Sequence, residues 1–364
     1  MNCPYPFDPA DISPRLLAWY GQHGRDLPWR QTRDPYRIWL SEIMLQQTTV
    51  AAVIPYYQRF LERFPTVGEL AAAPLEQVIE QWVGLGYYSR ARNLYRAAQV
   101  VVNEFGGRFP ATVEELSSLP GVGRSTAGAI VAIAFDRPAP ILDGNVRRVL
   151  VRLFALDGDP RSPQAERSLW EWAAALTSKV RPHDYAQAVM DLGATVCTPR
   201  APACPACPLA PFCQARRQGR EQQLPASRQP RPVPVRRQIV LLVEVQGRCL
   251  VRPRPAEGFL GGLWELPSID LGDGESPLAA AGRLAAELGV SGEREVLGRL
   301  PHAYSHFRLE LELVRLTAAD HGRVAEGDWC WQTPAQLAKT PLHGAHRKAL
   351  ERLVGAVRAG GGDG

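Results

Sequence analysis

Four cysteines within seventeen residues, Cys197, Cys204, Cys207 and Cys213 in CTPRAPACPACPLAPFC, constrain this chain more than any other feature. The spacing C-x6-C-x2-C-x5-C inside proline-stiffened loops suits thiolates converging on one metal centre. On ligand chemistry alone, zinc and an iron-sulfur cluster both fit such a set. The other three cysteines, Cys3, Cys249 and Cys330, stand apart, and an odd total of seven argues against a secreted disulfide framework. No apolar run approaches the roughly eighteen residues of a membrane span, and MNCPYPFDPADIS lacks the regions of a signal peptide. A cytoplasmic address is expected, nucleoid-associated in a bacterium.

The chain changes grammar partway along its 364 residues. Helical spacing and cap residues run over Tyr36–Phe64, Leu75–Val83, Ser89–Phe105, Thr112–Leu119, Ser125–Phe135 and Glu166–Ala175. Capping-box patterns stand at Thr66/Glu69 and Thr112/Glu115. FPTVGEL followed by GLGYYSRA echoes FPATVEEL followed by GVGRSTAGA, a device used twice at different spacing. From Arg216 to Arg237 the chain turns polar and Pro-rich, as a connector does. Beyond it, IVLLVEV, a Gln246-Gly247 turn, RCLVRPR and FRLELELVRL read as strands, with helices near Pro277–Leu288 and Ala345–Val357. Two domains are expected, all-α over 1–215 and α/β over 238–358, joined by 216–237.

The formal charge of +5 permits a polyanionic partner without requiring one. Lys179, Lys339 and Lys348 are the only lysines, so amines for Schiff-base chemistry are scarce. LPGVGRSTAGAI, Leu119 to Ile130, sets Gly121 and Gly123 in a tight turn opening a helix, where backbone N–H groups can meet a phosphate. Glu42 sits in the apolar stretch WLSEIMLQQTTV, where burial would favour its protonated form; a solvated helix-face glutamate is the plain alternative. Asp143 in LDGNVRRV is either a reactive carboxylate or a turn residue before Gly144.

The cysteine spacing resembles the [4Fe-4S] loop of the endonuclease III and MutY group. GVGR followed by Asp143 resembles the helix-hairpin-helix glycosylase superfamily, and SEIMLQQT its adenine-specific MutY-type branch. The resemblance runs from about Arg25 through Cys213. It implies a [4Fe-4S] cofactor on the four cysteines and a DNA glycosylase acting on adenine opposite 8-oxoguanine or guanine in double-stranded DNA, expected as a monomer. Breaking an N-glycosidic bond through an oxocarbenium-like transition state needs an acid for the base and a carboxylate for the sugar. The resemblance gives these roles to Glu42 and Asp143, with Asn145 orienting the latter.

An extruded base leaves a gap in the duplex, and Gln47 and Tyr87 match the family's wedge positions, although Tyr87 fits a core aromatic as well. Arg25, Trp29, Arg30 and Leu45 would line the adenine pocket. Thr48 and Leu85 would lie near the opposite base, and Gln46, Gly86, Gly121 and Gly123 join the DNA contacts. Endonuclease III-like relatives carry a lysine where Ser125 stands, and some members carry one where Arg147 stands. Arginine is no amine nucleophile at ordinary pH, so a monofunctional enzyme without strand cleavage is expected.

WELPSIDLGDGESPLAAAGRLAAELGV resembles the Nudix region, with a departure. Where that helix reads R-E-U-x-E-E-x-G-U, this chain has GRLAAELGV from Gly282 to Val290, and Glu287 is the one key acid kept. A Nudix-like fold retained for recognition of 8-oxoguanine is implied, not a magnesium-dependent hydrolase. HAYSHFRLELEL resembles the MutY-type recognition loop, with Tyr304 for its phenylalanine and Ser305 and His306 kept. The cysteine loop is expected to stiffen a DNA-contacting region beside Arg200, Arg216 and Arg217.

Overall fold

A computed structural model describes residues 5–226, 232–255, 258–304, 306–318 and 329–360. The chain divides into two compact units, Met1–Gln81 with Arg90–Gln229, and Trp82–Ser89 with Pro230–Gly364. No helix among the described residues is long and apolar enough to cross a membrane.

The first unit is helical. Its elements are α1 (Ile12–His23), α2 (Pro35–Leu45), α3 (Val50–Arg63), α4 (Val67–Ala72), α5 (Leu75–Trp82), α6 (Ser89–Phe105), α7 (Val113–Ser118), α8 (Arg124–Phe135), α9 (Gly144–Phe154), α10 (Pro163–Leu176), α11 (Pro182–Asp191) and α12 (Gln214–Arg217). Local chemistry sets many of their starts. Thr66 accepts from the Glu69 N–H, and Glu69 reaches back to close the capping box. Thr112 likewise accepts from the Glu115 N–H to begin α7, so the echoed FP-T motifs build the same six-residue helix twice. The apolar α8 is buried along most of its length among α2, α7 and α11.

The pattern over Tyr36–Phe64 is not one helix but two. The guanidinium of Arg90 donates to the Ile43 and Met44 carbonyls at 3.1 and 2.7 Å, ending α2, and Thr49 caps α3 by accepting from the Ala52 N–H. Gln47 lies between them with φ +58°. The connector expected over 216–237 is also shorter. Its start lies in α12, Leu224 is buried in the helical core, and the first strand begins at Val235.

The second unit is a sheet of β1 (Val235–Val245), β2 (Arg248–Pro253), β3 (Trp264–Glu265), β4 (Ser268–Asp270), β5 (Glu293–Ala303), β6 (Arg308–Thr317) and β7 (Cys330–Gln332). The order is β3-β2-β1-β6-β5, with β4 on β1 and β7 on β2; β1 and β6 run parallel. Ile239, Leu241 and Val243 face a core with α13 (Pro277–Leu288), while Val240 and Leu242 face another with α15 (Gly344–Gly360). Alternation along β1 thus feeds both layers, which is why Ile239 to Val243 is an unbroken apolar run. The short α14 (Pro334–Lys339) follows β7.

Candidate active site and cysteine loop

Asp143 is the N-cap of α9. Its carboxylate accepts from the Val146 N–H at 2.7 Å, the arrangement in which a helix end supplies partial positive charge to an anion. Burial raises its pKa; the Val146 and Asn145 donors and Arg148 pull the other way without cancelling that rise. Glu42, on α2, is enclosed by protein yet opens onto the same cavity. Burial pushes its pKa up to about 7, the charge of Asp143 adds to the rise, and Arg30 opposes it. Burial thus shifts both carboxyl groups upward, and they differ in support: Glu42 is opposed only by the charge of Arg30, whereas Asp143 also meets the donors at the α9 terminus.

The cavity between them has a volume of about 590 Å³ and lies within the first unit. Of the residues singled out in the sequence, it gathers Arg25, Trp29, Arg30, Glu42, Leu45, Gln46, Thr48, Ser125, Asp143 and Asn145 in its wall. Gln47, Leu85, Gly86, Tyr87, Gly121, Gly123, Tyr304 and His306 are not among its lining residues. Ser305 lies outside the described residues.

Several supporting groups have no signature in the sequence motifs. Asp191, fully buried at the end of α11, receives Arg30 through both terminal nitrogens at 2.6 and 2.7 Å and Arg25 through Nε at 2.7 Å. Burial alone would raise the Asp191 pKa, but the two arginines overcome it and hold it low. Arg25 and Arg30 are thus committed as a frame for the cavity. Ser125 Oγ accepts from the Leu142 N–H at 2.9 Å, bracing the backbone next to Asp143. Arg147 is held away in a two-pronged pair with Glu166, at 2.6 and 3.1 Å, and does not line the cavity.

Beyond the cavity wall, Arg148 donates to Asn145 Oδ1 at 2.8 Å, to the Gly193 carbonyl at 2.7 Å and to the Cys197 carbonyl at 2.7 Å. Close approach here requires Gly193, since a Cβ would stand 2.6 Å from that of Asn145. A π-helical turn, Leu192–Val196, extends α11 and delivers Cys197.

Cys197, Cys204, Cys207 and Cys213 all line one small cavity. Burial, with the neighbouring sulfurs adding, pushes the Cys207 thiol up to about 12. Arg152, 2% exposed, donates to Cys197 Sγ at 3.3 Å and to the carbonyls of Thr198, Pro199 and Leu224 at 2.7 to 3.0 Å. No carboxylate pairs with it among the described residues. A buried guanidinium that shares one small cavity with the four cysteines and Glu221 sets positive charge beside the sulfurs, which suits thiolates around a bound group. No cluster of three or more cysteine, histidine or acidic side chains suited to a single ion is gathered among the described residues.

The hairpin from Leu119 leads into α8. Gly121 has φ +79°, and a Cβ there would meet Asn93 Cβ at 2.8 Å, so the fold itself requires glycine. Gly123 caps α8 with ordinary φ −88°, and a Cβ would touch nothing within 4 Å. Gln47 and Tyr87 both carry left-handed backbones, φ +58° and +51°, which cost about 1 kcal/mol each in a non-glycine residue. Tyr87 is 43% exposed, which excludes the core-aromatic alternative. Leu85 is buried.

In the second unit, Tyr304 is packed inward. Its ring meets Phe259, Phe307 and His302, and its hydroxyl lies 3.4 Å from His343 Nδ1. His306 is exposed, its ring edge-on to Phe259. Glu287 is the single acid on α13 and is exposed.

Comparisons with known proteins agree on both units. Residues 40–175 match the family of HhH-GPD superfamily base excision DNA repair proteins, and residues 238–352 match the NUDIX domain family. Adenine DNA glycosylase of Rattus norvegicus is 39% identical over 96% of this chain and 77% of its own length. The enzyme of that name from Schizosaccharomyces pombe is 30% identical over 88% and 85%. Among solved structures, a thermostable thymine-DNA glycosylase superposes with TM-score 0.54 at 31% identity over 58% of this chain and 97% of that one. A non-covalent endonuclease III-DNA complex gives 0.50 at 25% identity over 58% and 98%.

Proposed function

The chain belongs to the adenine DNA glycosylase family, and on that premise we propose that it is a monofunctional glycosylase for adenine paired with 8-oxoguanine or guanine, with Glu42 as acid and Asp143 as sugar-facing carboxylate. Base-excision removal of adenine from DNA, by hydrolysis of the N-glycosidic bond, is the activity that family membership carries. The observation that supports our assignment of roles is the Glu42–Asp143 pair on one cavity, with burial lifting Glu42 to about 7.

In this reading the neutral Glu42 delivers its proton to the leaving base, which must flip out of the duplex to reach it. Asp143 stays ionised to offset the positive charge that develops at the sugar, held in line by the α9 terminus and Asn145. Ser125 and the immobilised Arg147 offer no amine, so the sugar is left to water. Gln47 and Tyr87 fill the gap left by the base, and the open surface at Gly123 admits a phosphate. Cys197, Cys204, Cys207 and Cys213 would hold a [4Fe-4S] cluster, which when bound supplies a rigid anionic anchor for the loop.

The exposed His306 and the unit around it serve recognition of the opposite base, and Tyr304 acts as the packed support of that loop. Single-turnover release of adenine opposite 8-oxoguanine, guanine and thymine tests the assignment. Fastest release opposite 8-oxoguanine is expected; equal rates opposite all three would remove the opposite-base part of the reading.

A further inference from the structure

The turn joining β5 to β6 is anchored at both ends. The Tyr304 N–H donates to the Phe307 carbonyl at 2.9 Å, closing residues 304 to 307 between the paired Ala303 and Arg308. Phe307 is buried, its ring centroid 5.0 Å from that of Tyr304 and 4.7 Å from the Arg236 guanidinium. The exposed His306 stands between these two anchors. Tyr304 carries a hydroxyl where the recognition-loop motif has phenylalanine. That oxygen lies 3.4 Å from His343 Nδ1, and the N–H of Ala345, the second residue of α15, donates to it. A hydroxyl that accepts from an N–H keeps its own hydrogen free to donate, so Nδ1 is the acceptor and the hydrogen of His343 sits on Nε2. Burial, with Arg254 and His302 adding, holds the His343 pKa down at about 3, so the ring is neutral. His343 is itself fixed. Its backbone N–H donates to the Trp264 carbonyl at 3.1 Å, and its ring centroid lies 3.8 Å from that of His346, whose Nδ1 accepts from the Leu266 N–H at 3.0 Å.

Ala345 and His343 are both buried, so without the hydroxyl an N–H and a ring nitrogen away from water would each lose this partner. Phenylalanine would keep the packing and lose the tether. A turn fixed before docking gives up less freedom when its tip meets a base, and a fixed tip keeps the hydrogen-bond geometry that separates two bases differing at one edge. We propose that the Tyr304 hydroxyl, held by His343 at the start of α15, is a positioning group that fixes the β5–β6 turn and thereby sets how strongly the chain prefers 8-oxoguanine to guanine opposite adenine, a step that rests on the opposite-base reading given above.

The test measures single-turnover release of adenine opposite 8-oxoguanine and opposite guanine by the full chain, by Tyr304→Phe, by His343→Leu, by the two together, and by His343→Asn, whose amide oxygen can take the place of Nδ1. Tyr304→Phe deletes one oxygen and keeps the ring. It should lower the ratio of the two rates about three- to tenfold, chiefly by slowing release opposite 8-oxoguanine. His343→Leu should lower the ratio by the same factor, the double variant no further, and His343→Asn should keep most of it. An unchanged ratio in Tyr304→Phe overturns the proposal, since a hydroxyl serving packing alone would slow both releases equally; a ratio lower in the double variant than in His343→Leu overturns it too. Equal rates opposite the two bases in the wild-type chain would instead remove the opposite-base reading beneath it. Should His343→Leu not fold, the Tyr304→Phe ratio and histidine nitrogen-15 spectra of the wild-type chain decide: the Nε2–H tautomer at His343 is required, and an Nδ1–H tautomer refutes the tether.

Discussion

Arg148 holds the side-chain oxygen of Asn145 at 2.8 Å while its Nε grips the Cys197 carbonyl at 2.7 Å. Asn145 in turn supports Asp143 through its side chain and backbone. The Asp143 carboxylate and the first cysteine of the loop are therefore two ends of one hydrogen-bonded scaffold, although 54 positions separate them in the sequence.

Replacing Arg148 with Met removes its hydrogen bonds to Gly144, Asn145, Gly193 and Cys197 at once while leaving both acids in place. We expect adenine release to slow about 10- to 100-fold, the scale typical of lost outer-shell support, with DNA affinity far less affected. Parallel single-turnover and duplex-binding measurements check this. A variant with wild-type release would show that the scaffold does not position Asp143.

Glu42 carries a pH signature of its own. Because burial lifts its pKa to about 7, the acid form is the majority species below that pH and is lost above it, so release should fall on the alkaline side with an apparent pKa near 7. The same shift has a stability consequence of the opposite benefit. A carboxyl group whose pKa is raised by folding penalises the folded state once pH passes its unfolded range, and the full penalty is present above the folded pKa. Glu42→Gln should therefore abolish release yet stabilise the protein at pH 8 by on the order of 2 to 3 kcal/mol, with little gain near pH 4. Denaturant midpoints of the two proteins at both pH values would expose an error in either sign or size.

What the sequence made legible was local. Thr66 and Glu69 announce a capping box because both partners lie within one turn, and Pro277–Leu288 is bounded by a serine cap and a glycine stop. The break after Leu45 was hidden, since it depends on Arg90 arriving from another helix to take the Ile43 and Met44 carbonyls. The cysteines stand out through their spacing, and the two acids and the hairpin through motifs that resemble the glycosylase superfamily. Asp191 did not, because its significance lies in two arginines more than 160 positions away, and no local pattern encodes that pairing. Arg152 is silent for the same reason, its partners lying 45 to 72 positions away. The inward packing of Tyr304 likewise depends on Phe259 and His343, which the loop motif does not contain.

Ser125 gives a gain-of-function prediction. It lines the cavity, and a lysine in its place would bring an amine toward the sugar. Ser125→Lys should form a covalent adduct with adenine-containing duplex under borohydride, whereas the wild-type chain should trap little. The substitution also removes the acceptor of the Leu142 N–H, so adenine release should slow several-fold in the same variant. Equal trapping by both proteins would contradict the monofunctional reading.

Asp191 anchors the cavity from beneath. Asp191→Asn leaves two arginines facing a neutral amide in a buried setting, where breaking one partner of an ion pair costs about 3 to 5 kcal/mol. Its depressed pKa places the wild-type stabilisation above the ordinary carboxylate range, to be lost as pH falls through the folded pKa. The stability gap between wild type and Asp191→Asn, followed by denaturant unfolding, should hence be full at pH 7 and narrow progressively toward pH 3. A gap independent of pH would mean that geometry, not charge, is what Asp191 contributes.

Arg152 allows the anionic-anchor argument to be tested without any assay of catalysis. The guanidinium is buried, satisfies four acceptors, one of them the Cys197 sulfur, and forms no ion pair among the described residues, so the cysteines and Glu221 that share its cavity are what can balance its charge. Removing the charge leaves thiolates in a buried site with less to offset them, and also frees two backbone carbonyls of the loop and that of Leu224. Arg152→Met should consequently bind less iron per chain, and the iron it holds should pass to a chelator several-fold faster than in the wild type. Iron and sulfide content, with visible absorbance followed over time in the chelator, measure both. Arg152→Lys should fall between the two, because it restores the charge but not the fork that spans Cys197, Thr198 and Pro199. Identical iron retention in all three proteins would separate Arg152 from the cysteine site and leave its burial to be explained by packing alone.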